Sequence, residues 1–108
     1  MASINNIIID QGTTFTLSVQ LTNDDNTPKD LTSYAVNSQI RKSYYTNTFT
    51  AFTTSKVDLT GEISISLSAA ETSALKAGRY VYDIEISDPS ETVRVIEGIV
   101  TVTPEVTR

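Results

Sequence analysis

The sequence predicts an all-β fold, an antiparallel Ig-like β-sandwich of about seven strands with one short helix over about residues 69–76. Three observations predict it. Apolar and polar residues alternate with period two in several separate windows, as half-buried strands require. Thr, Val and Ile, which favour the pleated conformation, are abundant. Clusters of Asn, Asp, Pro and Gly punctuate these windows at short intervals, with no strand–helix–strand alternation.

The first strand is the apolar run Ile4–Ile9, broken by Asp10-Gln11-Gly12. Thr13–Leu21 alternates next, with Phe15, Leu17, Val19 and Leu21 on one face and Thr14, Thr16, Ser18 and Gln20 on the other. Asn23–Pro28 reads as a turn, because Asn and Asp hydrogen-bond to their own backbone and Pro ends pairing. It lacks the ligand spacing and distal Glu of a calcium loop, so no metal is expected there. Tyr34–Lys42 forms the next strand. Ser43–Ser55 is rich in Thr and aromatic residues, contains no Gly or Pro, and reads as a hairpin arm or protruding edge.

Gly61 turns the chain into a strand through Ile63, Ile65 and Leu67. Ser68-Ala69-Ala70-Glu71 then has the capping-box pattern, in which a Ser hydroxyl and a Glu carboxylate satisfy free amides at a helix start. Lys76 suits the last turn and Gly78 the position after it, so a helix of about two turns is expected, with Leu75 plugging one end of the sandwich. Arg79–Ser87 alternates again, with Tyr80, Tyr82, Ile84 and Ile86 inward and Val81, Asp83 and Glu85 outward. Asp88–Glu91 is a hairpin turn into the last strand, where Gly98 is expected to mark a bulge and Pro104 to end pairing.

At 108 residues the chain makes one domain, 1–108, large enough for one core. A net charge of −5 argues against nucleic acid or an anionic membrane as partner. No window approaches the ~18 apolar residues of a membrane span, and Met1–Asp10 has no positive n-region of a secretory signal. With no Cys, neither disulfides nor thiolate metal sites are available. This suits folding in a reducing cytoplasm.

The chain also has no His, so the commonest bases, nucleophiles and metal ligands are missing, and neither an enzyme nor a cofactor is expected. Asp83 and Glu85 share a strand face about 7 Å apart by strand rise, a spacing compatible with a carboxylate pair. The stronger reading is that they point to solvent or pair with Arg79 or Arg94 across the hairpin. The candidate contact surface is instead apolar. It comprises Tyr44, Tyr45, Phe49 and Phe52 in the aromatic tract, Ile7, Ile8 and Ile9 in an N-terminal arm (residues 1–9), and Val106 in a C-terminal arm (residues 104–108).

Three stretches carry a family resemblance: DLTSYAVNSQIRKS (Asp30–Ser43), LTGEISISLSAAETSALKAGRYVYDIEI (Leu59–Ile86) and VRVIEGIVTVTPEVTR (Val93–Arg108). Together they resemble the small β-sandwich virion proteins of tailed bacteriophages, including cyanophages, and the N-terminal domain of baseplate upper proteins. The resemblance runs from about Ile9 to the C-terminus. It implies a structural component of a phage particle, assembled in the host cytoplasm and resident in the virion. A tail, baseplate or neck position is the leading expectation, and the expected partners are other virion proteins and copies of the chain itself. Capsid decoration and a carbohydrate- or receptor-binding sandwich module are the alternatives.

Overall fold

The computed structural model describes residues 3–23 and 25–106. The all-β fold is observed: two sheets pack face to face around a single apolar core. The strands are β1 (Ser3–Ile4), β2 (Ile7–Asp10), β3 (Phe15–Gln20), β4 (Ala35–Arg41), β5 (Thr50–Ala51), β6 (Thr53–Val57), β7 (Glu62–Leu67), β8 (Gly78–Ser87) and β9 (Thr92–Thr103). The helix α1 (Ala69–Ser73) joins β7 to β8. A six-stranded sheet runs in the order β1-β9-β8-β4-β5, with β2 continuing β1 along the same edge. A three-stranded sheet runs β3-β7-β6.

The core follows the alternation. Ile63, Ile65 and Leu67 of β7, Tyr82, Ile84 and Ile86 of β8, and Ile96, Val100 and Val102 of β9 are all buried. Leu31, just before β4, and Ile40 within it complete the layer. Phe15, Leu17 and Val19 on the edge strand β3 face the same core but stay half-buried, because no strand covers them on one side.

Pairing is not antiparallel throughout. β1 and β2 lie parallel to β9, with Ser3 beside Ile96 and Ile7 beside Val100. The edge is interrupted at Asn5, whose carbonyl turns over Gly98. A Cβ on Gly98 would lie 2.3 Å from that oxygen, so only glycine admits the approach. The Tyr82 hydroxyl donates to the same carbonyl, and the Ile99 amide donates to Asn6 Oδ1. Gly98 is therefore a close-approach site, not the bulge expected of it. The bulge lies upstream: Ile84 pairs with Ile96 but Glu85 pairs with Arg94, leaving Val95 as the extra residue. It lets both Val93 and Ile96 face the core, which strict alternation along β9 would forbid.

The aromatic tract divides. Residues 42–49 form a loop, β5 adds two residues to the six-stranded sheet, and Phe52 carries the chain across to β6 in the other sheet. The Phe52 amide donates to the Ser38 carbonyl, and its ring packs 6.2 Å from both Phe15 and Tyr82.

The capping box forms as read: Glu71 N–H donates to Ser68 Oγ, and Ser68 N–H donates to Glu71 Oε1. The helix, however, stops at Ser73. Leu75 leaves it to enter the core, and its carbonyl accepts from Gln11 Nε2. Lys76 therefore lies past the last turn, and Gly78, at φ 140°, opens β8 instead of ending the helix. Ala70 and Ala74 are exposed, and the buried residue of α1 is Thr72. Its hydroxyl donates to the Thr13 carbonyl, tying the helix to the approach of β3.

Candidate functional site

The expected contact residues separate into two sets. Ile7, Ile9 and Phe52 are buried in the domain's own core and present nothing to a partner. Strand alternation explains the first two, since β2 buries every second residue against the sandwich interior. Phe52 is buried because the chain crosses between sheets at that residue. Ile8, Tyr44, Tyr45, Phe49 and Val106 are exposed, Tyr45 at 94% and Val106 at 92%. Residues 3–9 belong to the domain's own sheet rather than to a free arm. Glu105 in the C-terminal segment is held by the Gln11 side chain. Met1, Ala2, Thr107 and Arg108 of the expected arms lie outside the described residues.

The remaining outward positions of the six-stranded sheet form a cleft of about 320 Å3. Register builds it. Asn37, Glu85 and Arg94 lie side by side across β4, β8 and β9. Gln39, Asp83 and Glu97 form the next row, and Arg41, Val81 and Ile99 the third. Successive rows are two residues apart on β4 and β8, and on β9 the bulge at Val95 makes up the third residue between Arg94 and Glu97, so all project from the same face. Tyr44, in the loop after β4, supplies a wall.

Arg94 organises the acidic side. Its Nε lies 3.2 Å from Asp83 Oδ2 and its Nη1 3.3 Å from Glu97 Oε2. The hydrogen bond to Glu97, with the negative charge of Asp83 and Glu85 nearby, holds its pKa above the ordinary guanidinium value. Arg41 is fixed from the other side: it donates to Gln39 Oε1 at 2.9 Å and to the Thr46 carbonyl at 2.7 Å, and lies 4.9 Å from the centre of the Phe49 ring. Among the described residues, no group of three or more acidic side chains is placed to hold a metal ion. Beneath the cleft, burial pushes the Tyr82 phenol up to about 12.

Pairing of Asp83 with Arg94 was legible in the sequence. The contributions of Asn37, Gln39 and Glu97 were not: the alternation of β4 placed Asn37 and Gln39 on the polar face, but Glu97 joins them only through the β9 bulge. What gathers them is the strand order β9-β8-β4, which no local pattern states.

No family model matches the chain, and no curated protein sequence matches it. Solved structures do. InlP of Listeria monocytogenes is similar to it at 17% identity and a TM-score of 0.52 over 94% of this chain. A family 123 glycoside hydrolase from Clostridium perfringens is similar at 11% identity and a TM-score of 0.41 over 97% of this chain. The chain spans 28% and 23% of the lengths of those two proteins. The likeness to InlP is one of fold alone, and the second match is too distant to support an argument about function.

Proposed function

We propose that the chain is a structural assembly module of a bacteriophage particle, in a tail, baseplate or neck position, where it contacts other virion proteins and copies of itself. The observation that carries the reading is the placement of exposed apolar residues at opposite edges of one sheet. Tyr44, Tyr45 and Phe49 lie in the loop leading to β5, one edge strand. Ile4, Ile8 and Ile99 lie along the β1/β2 edge, with Ile8 beside Thr101. The edges differ, one aromatic and one aliphatic. A subunit with two unlike contact surfaces sits between two different neighbours, or repeats head to tail. Aromatic residues are also enriched in interfaces.

Several residues behind the phage resemblance support a scaffold role, because they have structural tasks. Asp30 accepts from the Thr32 amide and hydroxyl ahead of β4, and Leu31 is fully buried. Ser68 and Glu71 cap α1, and Gly98 admits Asn5. These residues specify a sandwich and leave its surfaces free for assembly.

Mass spectrometry of purified phage particles tests the reading. The expected result is several copies of the chain per particle, with Phe49→Ser or Ile8→Ser lowering incorporation of a correctly folded domain. Particles that contain no copy of the chain would overturn it.

A further inference from the structure

We propose that the cleft on the outer face of the six-stranded sheet binds a neutral glycan. This proposal uses the sheet face and shares only Tyr44 with the aromatic edge of the assembly reading.

The cleft measures about 320 Å3, at the lower end of the ~300–1,000 Å3 typical of small-molecule sites. It is an open groove on a rigid sheet, suited to part of a chain and not to an engulfed ligand. A sugar hydroxyl both donates and accepts, so it needs acceptors and donors side by side. Asn37 and Gln39 carry both in one amide, and the alternating carboxylates and guanidiniums supply the rest. Several are already held in place, which lowers the ordering cost of binding. Arg94 is fixed by Asp83 and Glu97, and Arg41 by Gln39 and Thr46. Among the described residues, the Asn37 amide and Glu85 carboxylate make no side-chain hydrogen bond or ion pair within the domain, so their bonding capacity is free.

Three carboxylates, Asp83, Glu85 and Glu97, face two guanidiniums, Arg41 and Arg94. The difference is one negative charge, which repels anionic ligands and leaves no strong pull on cations. Tyr44 is 68% exposed and supports no core contact, yet it borders the cleft. A flat ring at the rim of a polar groove is what the C–H face of a pyranose packs against. Val81 provides a small apolar floor.

The test is a titration of the whole domain, labelled with 15N, against maltotriose, cellotriose, mannotriose and triacetylchitotriose in turn, followed by amide chemical shifts. At least one trisaccharide is expected to give saturable shifts confined to residues 37–44, 81–85 and 94–97, with a Kd of about 1 mM or tighter. Tyr44→Ala and Asn37→Ala, both at exposed positions that leave the core intact, are each expected to weaken binding about tenfold. Tyr45→Ala, one residue along the same loop, is expected to leave it unchanged. No saturable shift with any of the four overturns the proposal. So do shifts that map to another face, tighter binding of an anionic analogue such as sialyllactose, or equal loss from Tyr44→Ala and Tyr45→Ala.

Discussion

On the three-stranded sheet most outward positions hold short hydroxyl side chains, among them Thr16, Ser18, Ser64 and Ser66, with Gln20, Glu62 and Val57 forming a row at one end. On the six-stranded sheet the corresponding positions hold Asn37, Gln39, Asp83, Glu85 and Arg94. Both sheets obey the same alternation, and their inner faces are chemically alike. The outer faces are not. Ser18 Oγ and Ser64 Oγ lie 3.0 Å apart across β3 and β7, so these short groups bond to one another and leave a flat surface. The longer side chains of the other sheet stand up from it, brace one another at their tips and, with Tyr44, enclose a groove. A shared period of two thus fixes which residues face out. Side-chain length and reach decide whether that face can hold anything.

The largest expected effect lies on the inner faces and separates a central strand from an edge strand. Ile84 on β8 is fully buried, whereas Leu17 on β3 is half-buried. Ile84→Ala is expected to cost about 3–4 kcal/mol and Leu17→Ala about half as much, since the loss grows with the cavity left behind. Urea denaturation measures both. Equal costs would mean that β3 is as well covered as β8, contrary to its edge position.

Next comes the one place where the six-stranded sheet departs from antiparallel pairing. Gly98→Ala puts a methyl group against the Asn5 carbonyl, which is backbone and cannot swing aside. The expected cost is about 2 kcal/mol, in the range of overpacking. The damage should be local: amides of Ile7–Asp10 lose hydrogen-exchange protection while those of the three-stranded sheet keep theirs. Uniform loss across both sheets would show that the β1/β2 edge is not a separable layer.

That edge also marks where the sequence stopped being informative. The alternation of β3, β7 and β8 was legible because each has one buried and one solvated face, and the capping box of Ser68 and Glu71 because its partners are three residues apart. The parallel docking of β1 and β2 on β9 joins residues more than ninety positions apart, as in the bond from Ile99 to Asn6. Ile7 and Ile9 looked the same as Ile8 until β9 gave one side of the strand an interior. Phe52 was misread for a related reason. A chain crossing between sheets has no periodicity of its own. The helix was overextended because Lys76 and Gly78 satisfy local stop rules, whereas Leu75 is drawn into the core earlier. The candidate cleft was legible only in part, as one ion pair of its acidic side.

A smaller effect follows from Tyr82, whose hydroxyl fastens Asn5 beneath the six-stranded sheet. Its pKa rises from 10.0 to about 12 on folding because burial disfavours the phenolate. The folded state therefore holds the proton more tightly than the unfolded chain. Its contribution is fully present below pH 10 and is lost as pH rises through about 12. Tyr82→Phe is expected to cost about 1 kcal/mol at neutral pH and to flatten the fall in stability across that window. A wild-type alkaline profile already matching the variant's would remove the anchoring role from this hydroxyl.

The smallest effect bears on the outer faces themselves, through salt. Arg94→Ala removes the cation between Asp83 and Glu97 and leaves three carboxylates on neighbouring outward positions of β8 and β9. The pairs are partly exposed, so at low ionic strength the loss should be no more than about 1 kcal/mol. Its dependence on salt is the sharper signal. In the parent, salt screens an attraction; in the variant, it screens the repulsion that remains. The gap between them should therefore narrow as NaCl rises from about 0.05 M to about 1 M, where the Debye length falls to roughly 3 Å. Ser18→Ala on the other outer face removes only the neutral bond to Ser64. It should shift stability by no more than about 0.5 kcal/mol, by the same amount at both salt concentrations. If the two substitutions respond alike to salt, the outer faces are electrostatically equivalent, and the contrast between them reduces to shape.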